Sequence, residues 1–421
     1  MAVVVTRDFG DSTAMKPIVV VLFLVGAGCG PSGRHGDDFG SGDAKNYMDA
    51  PCSTAITGKV FAPNGTLPLY NVSVYAPVDN PVAFTPGVQC GQCSTELPGG
   101  SYATTTSDAE GKFRLDGIPA GVNVPVIITT GKWRRRLTVP VVVACSDTAI
   151  PDGTFRLPKN RNEGEMPRIA VVTGGCDPLA CILTKLGVDT AEFGSSSAGP
   201  TAVVFYNGAG GTAPGTPAAS TALWGNLDEL KKFDVVINSC ECDEHNENKT
   251  SPDLLKQYAD LGGRVFGSHY HYTWMKNLVP SWQGTAVWNS GSSSTPDLVD
   301  TSHTGGMALA QWLKAVGAST TLGQITLGTK TLNASTVTPP TTRWLYASGA
   351  APATTHYLSF QTPVGVPEAN QCGKVVYAGM HVSSGDVGTS FPSACSTTFT
   401  PDEKALVFLL FDLTTCVGSI F

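Results

Sequence analysis

The sequence predicts a multidomain chain: a small antiparallel β-sandwich followed by a three-layer α/β domain with a mostly parallel sheet. Three observations carry this. Between residues 52 and 158, short runs of β-branched and aromatic residues alternate with turn residues at regular intervals, the pattern of a small sandwich. From 167 to 421, unbroken apolar runs alternate with amphipathic stretches, which implies strands covered by helices on both faces. A chain of 421 residues is also long enough for two or three separate cores, at roughly 100–200 residues each.

Composition narrows the setting. Only 14% of residues are charged, against a usual share of about 25%, and Gly (47) and Pro (29) fill the gap together with Ser and Thr, as in loop-rich secreted proteins. The net charge of -7 and the lack of a long basic face exclude nucleic acid as an expected partner, because phosphate binding needs clustered Lys and Arg. The one basic run, Trp133-Arg134-Arg135-Arg136, reads as a solvated strand edge.

Twelve cysteines suit an oxidising compartment. Setting Cys29 aside leaves an odd number, so at least one is unpaired or pairs elsewhere. The disulfide candidates are Cys52, Cys90, Cys93, Cys145, Cys176, Cys181, Cys240, Cys242, Cys372 and Cys395, and spacing leaves their connectivity open. Cys240 or Cys242 is expected to bond to Cys176 or Cys181, and a bridge among Cys372, Cys395 and Cys416 to pin the last helix.

At the N-terminus, Met15-Lys16-Pro17 precedes the short apolar run Ile18 to Val25, far below the roughly 20 residues of a spanning helix. Residues 1–28 therefore read as a signal peptide, with Met15 the better start. Gly26-Ala27-Gly28-Cys29 resembles the lipobox of bacterial lipoproteins, which implies lipidation at Cys29 and a membrane partner through that anchor. Gly30 in place of Asp after the cysteine implies the outer membrane, facing the periplasm or the surface. Residues 29–51 hold few apolar side chains and read as a flexible tether.

In the first folded stretch, Ile56 to Phe61 and Val72 to Ala76 are strands flanking the turn Pro63-Asn64-Gly65, and Lys112-Phe-Arg-Leu115 alternates apolar with charged residues. Thr57-Gly-Lys-Val, Val72-Ser-Val-Tyr, Ser107-Asp-Ala-Glu-Gly-Lys-Phe and Gly117-Ile-Pro-Ala-Gly resemble the carboxypeptidase regulatory-like (transthyretin-like) β-sandwich. That implies a spacer or binding module over 52–158. Asp108 and Glu110 beside Gly111 form a hairpin turn, too few ligands for a Ca²⁺ cage. Cys90-Gly-Gln-Cys93 lies in a Pro/Gly-rich loop, where structural bridges outweigh a redox role.

In the second stretch, Ile169 to Thr173, Phe233 to Asn238, Arg264 to Ser268 and Lys374 to Ala378 are apolar strands. Helices are predicted through Leu179 to Leu186, after Ser251-Pro252 and up to Gly262-Gly263, and from the capping box Thr400-Pro-Asp-Glu403 to Leu413. Ser195 to Ser220 and Trp282 to Thr304 read as loops or insertions.

Tyr258-Ala-Asp-Leu-Gly-Gly-Arg-Val-Phe-Gly-Ser-His269 and Cys372-Gly-Lys-Val-Val-Tyr-Ala-Gly-Met-His381 resemble the ThuA-like branch of the class I glutamine amidotransferase-like fold, over about 167–415. The resemblance implies a flavodoxin-like sheet. It does not carry the amidotransferase triad: His269 stands at the nucleophile position, His381 at the base, and Ser383 where the acid belongs.

Ligands of open α/β sheets sit beyond the carboxyl ends of the strands. That rim collects Asp177, the Cys240 to His245 segment, His269, His271 and His381. His269 and His271 share a face if the strand stays extended, so His269, His271 and His381, with Asp177 nearby, are the candidate ligands of a divalent metal. Ser268 with His381 as base is a further catalytic candidate. With no complete motif, no cofactor beyond that metal is predicted. The leading expectation is a non-catalytic binding or envelope protein. The alternative is a metal- or rim-dependent enzyme acting on a carbohydrate or related small ligand, and a protein ligand of the sandwich is a third reading.

Overall fold

The computed structural model describes residues 52–418 except 95, 384, 385, 387–389 and 394. The expected signal peptide, Cys29 and the expected tether lie outside the described residues. No helix among them is long and apolar enough to cross a membrane.

The organising element is a mixed sheet. Its parallel centre has five strands: β1 (Ile169–Val172), β2 (Val203–Asn207), β3 (Val235–Asn238), β4 (Arg264–Ser268) and β5 (Gly373–Ala378). They run in the order β2-β1-β3-β4-β5, all parallel. This is the doubly-wound order with its switch point between β1 and β3. Beyond β5 the antiparallel strands Thr355–Thr362, Thr342–Ala347, Asp297–Val299 and Gln324–Ile325 extend the sheet.

The four residues of β1 and the four of β3 are all buried, as their apolar runs require, and Asn238 at the end of β3 is satisfied by Trp224 Nε1 and the Phe266 carbonyl. Two apolar clusters divide along the sheet. One takes Val171, Phe205, Ile237 and Phe266 together with α1 (Ala180–Lys185), α3 (Thr304–Ala315) and α4 (Pro401–Thr414). The other takes Ala170, Val172, Val204 and Val236 with α2 (Pro252–Asp260) and the fully buried Trp224, Trp274 and Trp282.

The helix ends follow the sequence in part. Thr400 and Glu403 close the expected capping box, and Glu403 also meets Lys185 Nζ of α1 at 2.6 Å, both side chains fully buried. Ser251 makes no side-chain cap, so the start of α2 rests on Pro252 in its first turn. Gly262 takes the left-handed conformation (φ +113°) that ends it.

The first stretch forms two four-stranded sheets. One centres on Ala55–Phe61, which pairs antiparallel with Lys112–Asp116 but parallel with Asp147–Ala149 and Phe155–Arg156, so this sheet is not wholly antiparallel as expected. The other runs Ser101–Thr106, Ser73–Pro77, Gly121–Thr130, Trp133–Val142, antiparallel throughout. Arg134 is not a solvated edge residue: it is 5% exposed, bonded to Glu165 and to the Val82 carbonyl.

These sheets share a core with the α/β part. Tyr70 stacks on Phe408 at 5.6 Å, and Trp312 Nε1 donates to the Pro68 carbonyl at 2.8 Å. Gly131 turns the hairpin against Thr414, whose carbonyl would lie 2.3 Å from any Cβ there. Cys90–Cys372 and Cys93–Cys416 add covalent ties across 282 and 323 residues of sequence, and residues 51–421 form one compact unit.

Both stretches read as loops hide a strand: Trp282 to Thr304 contains Asp297–Val299, whose three residues are too short for a pattern to register. The stretch from Ser195 to Ser220, read as a loop, contains β2, because the run Ala202-Val-Val-Phe-Tyr206 is short and lies between glycine-rich flanks that dominate any longer window.

The cross-links give a first prediction. Closing a loop of some three hundred residues removes much denatured-state entropy, so Cys93→Ala with Cys416→Ala should lower unfolding free energy by about 2–5 kcal/mol. Denaturant unfolding measures this, and an unchanged midpoint would contradict a shared, covalently tied core.

Candidate metal centre

Three side chains converge at the carboxyl ends of β3, β4 and β5. Cys240 Sγ lies 3.6 Å from His269 Nδ1 and 3.5 Å from His381 Nε2, and the two nitrogens are 2.7 Å apart. All three donor atoms fall within 4.8 Å of one another, and the group could hold a metal ion. Cys240 is fully buried; both imidazoles are partly exposed.

Each side chain is placed by the end of its strand. After β3, the Ser239 N–H donates to the Val172 carbonyl, and the Cys240 carbonyl accepts from Cys176 N at 3.1 Å. The neighbouring loop passes so close that a Cβ on Gly174 would lie 2.2 Å from that carbonyl, so only glycine fits. After β4, His269 takes a left-handed conformation (φ +39°), uncommon for a non-glycine residue and typical of strain kept at a site. After β5, Met380–His381 pairs antiparallel with Thr329–Lys330, which fixes His381 in register with Thr329.

Behind Cys240, Glu241 is fully buried. It accepts from Ala209 N (2.9 Å) and from Lys249 Nζ (2.9 Å), and the Lys249 ammonium sits over the Trp224 ring at 4.8 Å. A buried ion pair satisfied this way is costly to break. It holds the turn from Cys240 to Lys249 in one conformation.

The electrostatics favour a neutral trio. Burial pushes the Cys240 thiol up to about 11; the N–H groups of Tyr270 and Cys242 pull the other way, while the Asp177 and Glu241 charges add to the rise. Burial, then the neighbouring His381, brings His269 down to about 4, and burial lowers His381. A thiolate–imidazolium pair is thus opposed from both sides. A bound cation would supply the missing charge and convert the thiol to a ligand.

Not every expected residue belongs to the site. His271 does not share a face with His269, because β4 ends at Ser268 and residues His269–His271 form a 3₁₀ turn. Its Nε2 donates to the Ser239 carbonyl at 2.9 Å and its Nδ1 accepts from Trp274 Nε1 at 3.2 Å. Asp177 is no ligand either: its carboxylate accepts from Val382 N (3.0 Å) and Ser383 N (2.7 Å), so it clamps the segment that follows His381. Ser268 is fully buried beside Asp177, out of reach of any substrate.

Cys240 carries no disulfide; Cys242 alone takes Cys176. Cys372, Cys395 and Cys416 bond to Cys90, Cys181 and Cys93 rather than to one another, and Cys52 takes Cys145. The signal that could have found Cys240 was present: an odd cysteine count, and a position directly beyond a buried strand at the ligand-binding end of the sheet.

No family model matches the chain, and no curated protein matches it. Two solved type II cohesin–X-dockerin complexes from Acetivibrio cellulolyticus, a C-terminal and an N-terminal interface mutant, align at 16% and 14% identity over 35% of this chain and 78% of theirs, with TM-scores of 0.16. A ThuA-like protein of Bacteroides uniformis aligns at 14% identity over 58% of this chain and 89% of that one, with a TM-score of 0.30. All three likenesses are loose.

Asp177 yields a pH prediction. Burial raises its carboxyl from the ordinary 3.8 to about 7. The folded state therefore holds a proton that the unfolded state releases between about pH 4 and 7, and stability falls with rising pH across that window, by up to about 1.4 kcal/mol per unit. Asp177→Asn removes this slope. Unfolding of both proteins from pH 4 to 8 checks it; parallel profiles would contradict it.

Proposed function

We propose that the chain is an exported lipoprotein, anchored at Cys29, whose α/β part is a metal-dependent enzyme acting on a small ligand. Cys240, His269 and His381 would hold one divalent ion of the zinc class and leave its fourth position open. A carbohydrate or related molecule is the substrate class that the ThuA-like sequence resemblance implies. The first two sheets, read as a carboxypeptidase regulatory-like sandwich, serve as a docked brace and not as a free spacer.

The carrying observation is the geometry of the three donors. A tetrahedral ion at ordinary bond lengths separates sulfur from nitrogen by about 3.6 Å and nitrogen from nitrogen by about 3.3 Å. The sulfur–nitrogen distances of 3.6 and 3.5 Å match as they stand, and only the two imidazoles, now 2.7 Å apart, need to part slightly. With the sulfur buried and the imidazoles partly exposed, the open position would face solvent, as in catalytic sites with three protein ligands. A metal there supplies a Lewis acid and an activated water. Cys240 as a free nucleophile fits less well, since its sulfur is buried and its neighbours favour the thiol. The convergence of Cys240 on the two histidines favours this reading over a non-catalytic binding protein.

Five disulfides fit an oxidising compartment. Two experiments test the proposal. Protein reconstituted with zinc should carry one equivalent by elemental analysis, reduced at least tenfold in affinity in Cys240→Ser or His381→Ala and unchanged in His245→Ala; equal content in all four would overturn the centre. For the anchor, fatty-acid labelling in cells should mark the wild type and not Cys29→Ser, and an unlabelled wild type would remove it.

A further inference from the structure

Ser239, directly before Cys240, is 1% exposed, and its hydroxyl has no hydrogen-bond partner among the described residues. A buried donor left unpaired in the protein points to a partner from outside. Ser239 is one of the residues lining a cavity of about 220 Å³ in the crevice beyond β1 and β3, where the strand order reverses. That crevice is where doubly-wound sheets take their ligands.

The wall has two characters. Thr173 and Thr212 line one side with the peptide groups of the 174–175 and 210–211 glycine pairs; Val171, Pro178 and Phe391 line an apolar side. The glycines are required by contact: a Cβ on Gly211 would lie 2.5 Å from the Thr173 Cβ. Phe391 is fixed edge-on to Phe193 and Phe205 at 5.1 and 5.0 Å. Among the described residues no ionisable side chain lines the cavity, since Cys181 is bonded to Cys395. A charged ligand would therefore give up its hydration without a counter-ion in the wall.

We infer that this cavity binds a small uncharged ligand, with its apolar body against Phe391, Val171 and Pro178 and a hydrogen-bonding head at Ser239. Ser239 directly precedes Cys240 in the chain, so the inference deepens the metal-centre reading by giving its substrate a seat, although none of the three metal ligands itself lines the cavity. Binding itself does not require the metal.

Benzyl alcohol, benzoate and benzylammonium are probes of similar size that differ in charge. Titrated into the full chain and followed by ligand-observed NMR, benzyl alcohol should saturate, and the two ions should bind at least tenfold more weakly. Ser239→Ala should weaken benzyl alcohol by roughly 3- to 10-fold. Thr212→Trp, at an exposed position of the wall, should abolish its binding and leave metal content unchanged. Failure of benzyl alcohol to bind, equal binding of an ion, or binding that survives Thr212→Trp would each overturn the assignment. Zinc content measured on the same samples separates the two readings: binding retained in protein that takes up no metal sinks the metal centre alone.

Discussion

A sulfur atom taken wholly out of water, with two uncharged imidazoles around it and only acidic side chains acting on it, is the constraint around which this site is built. Such a group is not at rest as a thiolate, and it is not placed to reach a substrate. Its surroundings nevertheless direct two backbone N–H groups at it, from Tyr270 and Cys242, an arrangement that favours the anion. The proposed cation, at the point where the three donors meet, would reconcile those two facts.

Much of the rest of the fold serves to hold those donors still. Glu241 and Lys249, paired under Trp224, fix the turn that bears Cys240; Asp177 grips the backbone just past His381; the Cys176–Cys242 bridge ties the loops after β1 and β3 together. Rigid support of this kind is what a ligand set needs if it is to be preorganised. The first two sheets contribute at longer range. Their loop cysteines reach Cys372, at the start of β5, and Cys416, past the end of α4, so the frame carrying His381 is closed at its far end.

Four of the five parallel strands were legible because buried strands must be apolar throughout, and the strand-end rule points to His269 and His381. Besides the strands inside the two stretches read as loops, three things were not legible. The period-two argument for His271 assumed an extended backbone, and the chain turns at His269 instead. Cys240 and Cys242 look equivalent in sequence, and only the approach of Gly174 and Cys176 decides which is bridged. The pairings across some three hundred residues arise from how the two parts dock, which no local pattern encodes.

X-ray absorption at the zinc K-edge of the reconstituted protein tests the central claim most directly, because it counts the ligands around the ion. The account predicts one sulfur at about 2.3 Å and two imidazole nitrogens near 2.0 Å, with the remaining position filled by a light atom. A first shell made only of nitrogen and oxygen would contradict it.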